Sequence, residues 1–269
     1  MCAPDFFGVN YVINPWMEGQ INQVSRIVAA QQWSAYVAAL QAAGAEIKFI
    51  TPQPGLPDFV FTANAGIVRS GKFITARFRF PERQGEEPLF SSWFVENGFT
   101  VLPWPQDVFC EGAGTALFVL DDDDRQTDTI VVAKDFRSDA AAADYIGNLL
   151  SVKVARVELC DPRFYHLDTC FCPLPGRRAI WYPPAFTPAS QATVRNLFAA
   201  DKLFAVGDQA AEGFACNAVY ANGHVFMNTA DNALLEWLLA QKFTPVVMPL
   251  WEFLKAGGAA KCLTIRLDH

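Results

Sequence analysis

Five times along this chain a small or polar residue interrupts a strand-like apolar run: Asn64 in FTANAGIV, Glu111 in EGAGTALFVL, His166 in HLDTCFCPL, Asn217 in ACNAVY and Cys262 in GGAAKCLTI. The intervals between them are 47, 55, 51 and 45 residues. A period of about 50 residues lies at the edge of the range that marks repeat architectures. After each of the first four positions comes a second strand-like run, at Lys72 to Phe78, Thr129 to Lys134, Ala179 to Tyr182 and His224 to Asn228. A helical stretch follows in each unit (Pro88 to Asn97, Ala140 to Leu150, Ser190 to Ala199, Ala233 to Gln241), and then another strand, in FTVLPW, SVKVARVEL, KLFAV and FTPVVMPL. The fifth unit begins with a strand at Lys261 to Leu267 and finds its remainder at the other terminus. There Gly8 to Ile13 reads as a strand, Gln23 to Ala43 as a long helix with Val24, Ile27, Val28, Tyr36, Val37 and Leu40 on its apolar face, and Ala45 to Ile50 as a strand. Five such units predict a closed radial α/β array with the polar positions converging at its centre. The competing expectation is an ordinary two-layer α/β fold.

Composition narrows what such a chain does. Twenty-one Lys and Arg against 28 Asp and Glu leave a net charge of −7, which repels phosphate backbones and excludes nucleic acid as an expected partner. Apolar residues make up 52%, with 23 Phe and 7 Trp, ample for a core and incompatible with disorder. No apolar run approaches the ~18 residues of a membrane span, and the opening lacks a basic segment followed by an apolar one. The expectation is one cytoplasmic domain over residues 1–269, with no membrane partner and with homo-oligomers allowed. Seven Cys, an odd number, read as reduced thiols rather than a disulfide framework.

His is scarce, at 166, 224 and the C-terminal 269, so imidazole chemistry has two serious candidates. On a strand, His166, Asp168, Cys170 and Cys172 would share one face. Positions two apart on a strand are ~6.7 Å apart, so the four would span about 20 Å and could not all ligate one zinc ion. A zinc site would need two of them with distant partners; no metal and no other cofactor is expected. The His-x-Asp pair facing a cavity suits general acid/base work on a cation. The plainer reading is a core His with Asp168 capping a turn. Cys262 follows Gly257, Gly258, Ala259 and Ala260, which allow close approach, and its neighbour Lys261 is basic, a charge that favours a thiolate. It is the most plausible nucleophile of the seven, against a plain buried thiol. Glu111 and Asp58 put carboxylates beside strand starts, and with Asp168 they make an anionic cavity that selects a cation. Arg83 in PERQGEE and Arg137 in KDFRSD supply the opposite sign for a substrate carboxylate, or else are surface residues in weak pairs. The Asp121 to Asp124 run is a solvated turn, because four consecutive Asp lack calcium-loop spacing. No phosphate loop, dinucleotide fingerprint or Ser-centred elbow occurs in strand-to-helix context.

Together these residues resemble the guanidino-group-modifying enzymes of the pentein superfamily. LPDFVFTAN, PERQGE, EGAG, FRS, HLDT and GGAAKCLT lie in that family's order along the whole chain. The resemblance implies a five-bladed α/β propeller of strand-strand-helix-strand units with pseudo-fivefold symmetry, the N- and C-terminal segments sharing one blade. It implies Cys262 as the nucleophile that attacks a guanidinium carbon, and His166 as the acid/base that protonates departing ammonia and then activates water. Glu111 and Asp168 would bind the guanidinium nitrogens, with Asp58 beside them. Arg83 and Arg137 match positions that contact the amino-acid carboxylate of a guanidino substrate. Where arginine deiminases and dimethylarginine hydrolases usually carry an acidic residue, this chain has Asn64. That Asn, with the opening MCAPDFFGVNYVINPWM, is similar to arginine dihydrolases, which are fused to a second domain in some cyanobacteria and carry arginine through to ornithine, ammonia and carbon dioxide. The second domain is not expected within these 269 residues. An Asn in place of an acid removes a charge and supplies an amide donor for a ureido oxygen. Asn14 is implied at the substrate's amino-acid end on this subfamily likeness alone.

Three other readings compete. A deiminase or dimethylarginine hydrolase would stop at citrulline. A non-catalytic propeller, like the ribosome-binding pentein factors, sits poorly with the joint occurrence of Cys262, His166, Glu111 and Asp168. A zinc hydrolase built on His166 and Cys-x-Cys would lose activity to a chelator.

Overall fold

A computed structural model describes residues 1–267; His269 lies outside the described residues. The four internal units build alike. Their sheets comprise Gly66–Arg69, Lys72–Thr75 and Thr100–Leu102; Ala116–Leu120, Gln126–Lys134 and Lys153–Glu158; Phe171–Leu174, Arg178–Trp181 and Leu203–Ala205; and Val219–Ala221, His224–Met227 and Thr244–Val247. In each, the first two strands pair antiparallel as a hairpin. The second and third pair parallel, which requires a crossover, and helices Glu87–Glu96, Ala142–Leu150, Pro188–Leu197 and Asn232–Ala240 supply it. The apolar faces meet between strand and helix: Ala116–Leu120 is buried throughout, and Phe73 stacks on Phe94 of the crossover helix with centroids 3.6 Å apart. Each fully buried Phe contributes on the order of 2 kcal/mol.

The units close around one centre, and a circuit of hydrogen bonds traces the closure. Asn64 Nδ2 donates to the Glu111 carbonyl, and Glu111 pairs with His166. Asn217 donates both to the Asp168 carbonyl and to the Cys262 sulfur, and the Cys262 carbonyl accepts from the Ala63 N–H. The two-layer alternative is thereby excluded, and the fold is the pentein type of α/β propeller.

Two local expectations are corrected. The residues around His166 do not extend as a strand: Leu167–Thr169 is a 3-10 turn and the strand begins at Phe171, so His166, Asp168, Cys170 and Cys172 do not share a strand face. The fifth unit forms no sheet among the described residues. Gly8 to Ile13, Ala45 to Ile50 and Lys261 to Leu267 are not strands; the ends meet through a parallel bridge between Cys2 and Ile50. Their backbone groups are committed elsewhere. The Ile13 carbonyl accepts from Arg137, the Val9 carbonyl from the Asn22 N–H, and the Cys262 N–H donates to the Asn217 side chain. Ile265 and Leu267 still pack with Cys2 and Ile50 in one cluster, so both chain ends do share one unit. Its helix, Arg26–Ala42, is capped by Ser25 and buries Ala29, Gln32, Tyr36, Val37 and Leu40. Ile27, expected on that face, is 75% exposed; the inward face turns through Ala29 and Gln32 instead. Tyr36 reaches the centre, donating from its hydroxyl to the Ala260 carbonyl at 3.1 Å.

Candidate active site

In the first three units the central side chain sits on, or immediately beside, a tight turn that precedes the unit's first strand, at Thr62–Ala65, Gly112–Gly114 and Leu167–Thr169. The turns fit because of glycine. Gly112 adopts φ +62, and a Cβ there would lie 2.7 Å from the Gly66 nitrogen. A Cβ on Gly114 would lie 2.4 Å from Asn64 Nδ2 and 3.0 Å from His166 Nδ1. The EGAG run thus lets two turns and an imidazole approach within side-chain-free distance.

Asn64, Glu111, His166, Asp168, Asn217 and Cys262 are all buried, as are Asp58, Arg83, Arg137 and Asn14. His166 Nε2 lies 2.9 Å from Glu111 Oε2. A carboxylate only accepts, so Nε2 carries a proton and donates, and Nδ1, 3.5 Å from the Asn64 amide nitrogen, is the free basic site in the neutral ring. Burial alone would push the Glu111 carboxyl up, but the Arg137 guanidinium, 3.0 Å away, and the His166 hydrogen bond bring it down to about 2. It is a fixed anion.

The sulfur is in the opposite condition. Burial, then the Asp168 carboxylate, pushes the Cys262 thiol well above the ordinary range; the Ala259 backbone, then the Asn217 hydrogen bond and Lys261, oppose them without overcoming them. Lys261 does favour the thiolate, as its charge leads one to expect, but desolvation is the larger effect and the resting sulfur stays a thiol. The thiol points at Asp168 Oδ2, 3.5 Å away, and burial raises the Asp168 carboxyl as well. Asp168 Oδ1 and Asp58 Oδ1 are buried with no hydrogen-bond partner. Asp58 Oδ2 accepts from the Tyr11 hydroxyl at 2.9 Å. Two carboxylate oxygens without donors in a closed, anionic centre are a strong attraction for a planar cation with N–H groups.

The arginines are engaged internally. Arg83 pairs with Glu86 through Nε and Nη2 at 2.9 and 2.7 Å, and its Nη1 donates to Asn64 Oδ1 at 2.9 Å. That contact turns the Asn64 amide nitrogen toward His166. Arg137 bridges Glu111 and the Ile13 carbonyl, 2.8 Å away, between the rings of Phe80 and Tyr165. Asn14 donates to the Ala256 carbonyl and accepts from the Trp16 N–H, which fixes the turn at Pro15–Met17. Sequence reasoning missed Glu86, Tyr11 and the use of Asn217. Glu86 carried a signal, lying three residues after Arg83 on one turn, and Asn217 held the fourth repeat position. No group of three His, Cys, Asp or Glu is arranged to hold a metal ion among the described residues. No helix among them is long and apolar enough to cross a membrane. A separate cavity of about 520 Å³, lined by Ile67, Phe118, Cys172, Tyr220 and Ile265, contains none of Glu111, His166, Asp168 and Cys262.

Comparison with known proteins brings in the family. The chain is 46% identical over 269 residues to the bifunctional arginine dihydrolase/ornithine cyclodeaminase ArgZ of Synechocystis sp., covering all of this chain and 37% of that protein. It is 37% identical over 267 residues to the N(G),N(G)-dimethylarginine dimethylaminohydrolase of Mycobacterium tuberculosis, covering 99% of this chain and 84% of that one. A solved structure of the N-terminal domain of ArgZ, a variant covalently bound to a reaction intermediate, matches with a TM-score of 0.95 at 45% identity, covering 100% of this chain and 96% of that chain. Residues 9–268 match the family model described as N,N dimethylarginine dimethylhydrolase, eukaryotic, and the chain belongs to that family.

Proposed function

We propose that this chain is a cysteine hydrolase of linear amidines that converts L-arginine to ornithine, two ammonia and carbon dioxide with two water molecules. The observation that carries the reading is the pairing of a buried thiol with two partnerless carboxylate oxygens, at Asp168 and Asp58, beside a histidine held by Glu111. The identity to ArgZ supports arginine as substrate, and the covalent intermediate in the N-terminal domain of ArgZ supports a covalent route. Residues 1–269 act as one catalytic domain, assigned to the cytoplasm on their free thiols.

The guanidinium lies against Asp168, Asp58 and Glu111. Its positive charge offsets their field, and the Cys262 proton is released to solvent as the cation enters. The sulfur lone pair then forms a bond to the guanidinium carbon. His166, which enters this step protonated at Nδ1 by solvent, gives that proton to the departing ammonia as the tetrahedral adduct breaks one C–N bond, leaving a thiouronium on sulfur. His166, now neutral, takes a proton from water, which adds to the same carbon; breaking the C–S bond returns the electron pair to sulfur, and loss of the remaining hydroxyl proton to solvent yields the neutral ureido group. Asn64, with no charge to repel a neutral ureido group and an amide to hold its oxygen, permits a second attack by Cys262, in which the two remaining C–N bonds break to release ornithine and ammonia, each nitrogen taking a proton from His166 or solvent, while the second water breaks the C–S bond and leaves the carbon as carbon dioxide. Arg83 and Arg137 serve the amino-acid end through rearrangement of the internal pairs they now make, with Asn14 beside them.

The test is to incubate the protein with arginine and quantify ornithine, citrulline and ammonia. Ornithine with two ammonia, abolished in Cys262→Ser, is the expected result, and Asn64→Asp is expected to leave citrulline as the main product. An unchanged product ratio in Asn64→Asp would overturn the use made of Asn64. Citrulline from the unaltered chain would favour the deiminase reading over the dihydrolase one.

A further inference from the structure

Asn217 is the one central residue that the reaction above leaves without a task, and both ends of its fully buried side chain are in use. Its Oδ1 accepts from three backbone N–H groups, those of Ala259 at 3.1 Å, Lys261 at 3.0 Å and Cys262 at 3.2 Å. Its Nδ2 donates to the Asp168 carbonyl at 2.9 Å and to the Cys262 sulfur at 3.1 Å. The orientation is forced, because only the amide oxygen can accept three N–H groups. The NH₂ must then face sulfur. The thiol hydrogen is directed the other way, to Asp168 Oδ2. One side of the sulfur therefore receives a donor in every protonation state, and that donor is anchored to the turn that carries the nucleophile.

We propose that Asn217 is a catalytic residue, whose amide N–H stabilises the Cys262 thiolate when sulfur attacks and again each time it leaves carbon. Asn217 gives up and receives no proton. As the C–S bond forms, the sulfur electron pair it solvates moves into the bond and the contact weakens; as the bond breaks, the pair returns and the contact strengthens. It does the work for sulfur that an oxyanion hole does for oxygen. In a reaction that makes and breaks the C–S bond twice, each departure uses it. The turnover consequences rest on the proposed reaction, whereas the effect on the thiol does not.

Two substitutions separate holding the turn from stabilising the sulfur. Asn217→Asp keeps an oxygen for the three N–H groups and loses the donor; Asn217→Ala loses both. Ultraviolet thiolate absorbance is titrated with pH in each variant and in its Cys262→Ser counterpart, and the difference isolates this one thiol without any substrate. The expected midpoint rises by about one to two pH units in both variants, in keeping with the loss of a charge-assisted hydrogen bond. On arginine, kcat is expected to fall about ten- to a hundredfold with KM changed less than about threefold. An unmoved midpoint in folded Asn217→Asp would overturn the proposal, since both its lost donor and its added charge act in the same direction. A shift in the Asp variant that is absent from the Ala variant would also overturn it, leaving charge as the cause. Should the Ala chain fail to fold, Asn217→Val supplies the neutral comparison. Failure of arginine turnover in the unaltered protein would remove the reaction and leave the titration standing.

Discussion

At Cys262, burial and the Asp168 carboxylate both disfavour the thiolate, yet the proposed chemistry needs it. The two statements are reconciled if the substrate's own charge makes the nucleophile. A guanidinium against Asp168 and Glu111 converts a centre that repels a second anion into one that accepts it. The sign follows from the raised thiol: at neutral pH the empty site holds the proton, and raising pH frees it only above the ordinary thiol range. Binding of arginine to a turnover-deficient His166→Ala protein is therefore expected to release about one proton per site at pH 7, measured by calorimetry in two buffers of different ionisation enthalpy. The double variant with Cys262→Ser is expected to release none. A thiolate already present without arginine would contradict the scheme. The roles of individual residues were unevenly legible in the sequence. Glu111, His166, Asp168 and Cys262 stand out because polar residues in apolar runs demand a reason. The Glu86 carboxylate that engages Arg83, and the Asn64 contact that follows, are set by three-dimensional proximity that spacing encodes only for the first.

The recurrent element is a turn of three or four residues followed by a buried strand, and its tolerance is set by glycine. Strand-strand-helix-strand order was readable because hairpins, crossovers and apolar runs each leave a local pattern. The turns were not, since a buried 3-10 turn and a buried strand start have the same apolar composition; HLDTC reads as strand and folds as turn. The fifth unit reads as strands for a related reason. Its apolar spacing suits strands, but its carbonyls and amides are claimed by Arg137 and Asn217, partners far away in sequence. Glycine within the second turn offers the sharpest check. Gly114→Ala would drive a methyl group to 2.4 Å from Asn64 Nδ2 and 3.0 Å from His166 Nδ1. The expected outcome is a loss of at least a hundredfold in kcat/KM, from displacement of the imidazole, with a stability loss of about 1–3 kcal/mol from overpacking. Steady-state kinetics alongside thermal unfolding would read both. Near-normal activity would mean that the two turns can separate without cost to the site.

The molecule as a whole brings one side chain from each of five units to a common centre, so integrity of the ring matters more than the order in which the chain visits it. The unit shared by the two ends already demonstrates this. Cys2 bridges Ile50, Met1 donates to the Lys48 carbonyl at 2.8 Å, and Ile265 and Leu267 pack into the same cluster. Among the described residues no covalent bond joins these segments across the unit, yet Tyr36 of its helix holds the Ala260 carbonyl two residues before the nucleophile. If closure depends on packing and hydrogen bonds alone, the covalent break can be moved to another unit. The exposed Gln106–Asp107 loop is a suitable place, lying between a third strand and the turn that carries Glu111. A permuted chain opened between Gln106 and Asp107, with a short Gly/Ser linker joining the present ends, is expected to keep at least about half of kcat/KM and to lose only about 1–3 kcal/mol, mostly through the entropy of the new loop and ends. Kinetics and denaturant unfolding of the permuted protein test this directly. A folded but inactive permutant would mean that Cys262 is positioned by tension through its own chain end, and not by Asn217, Tyr36 and the ring of hydrogen bonds that runs through them.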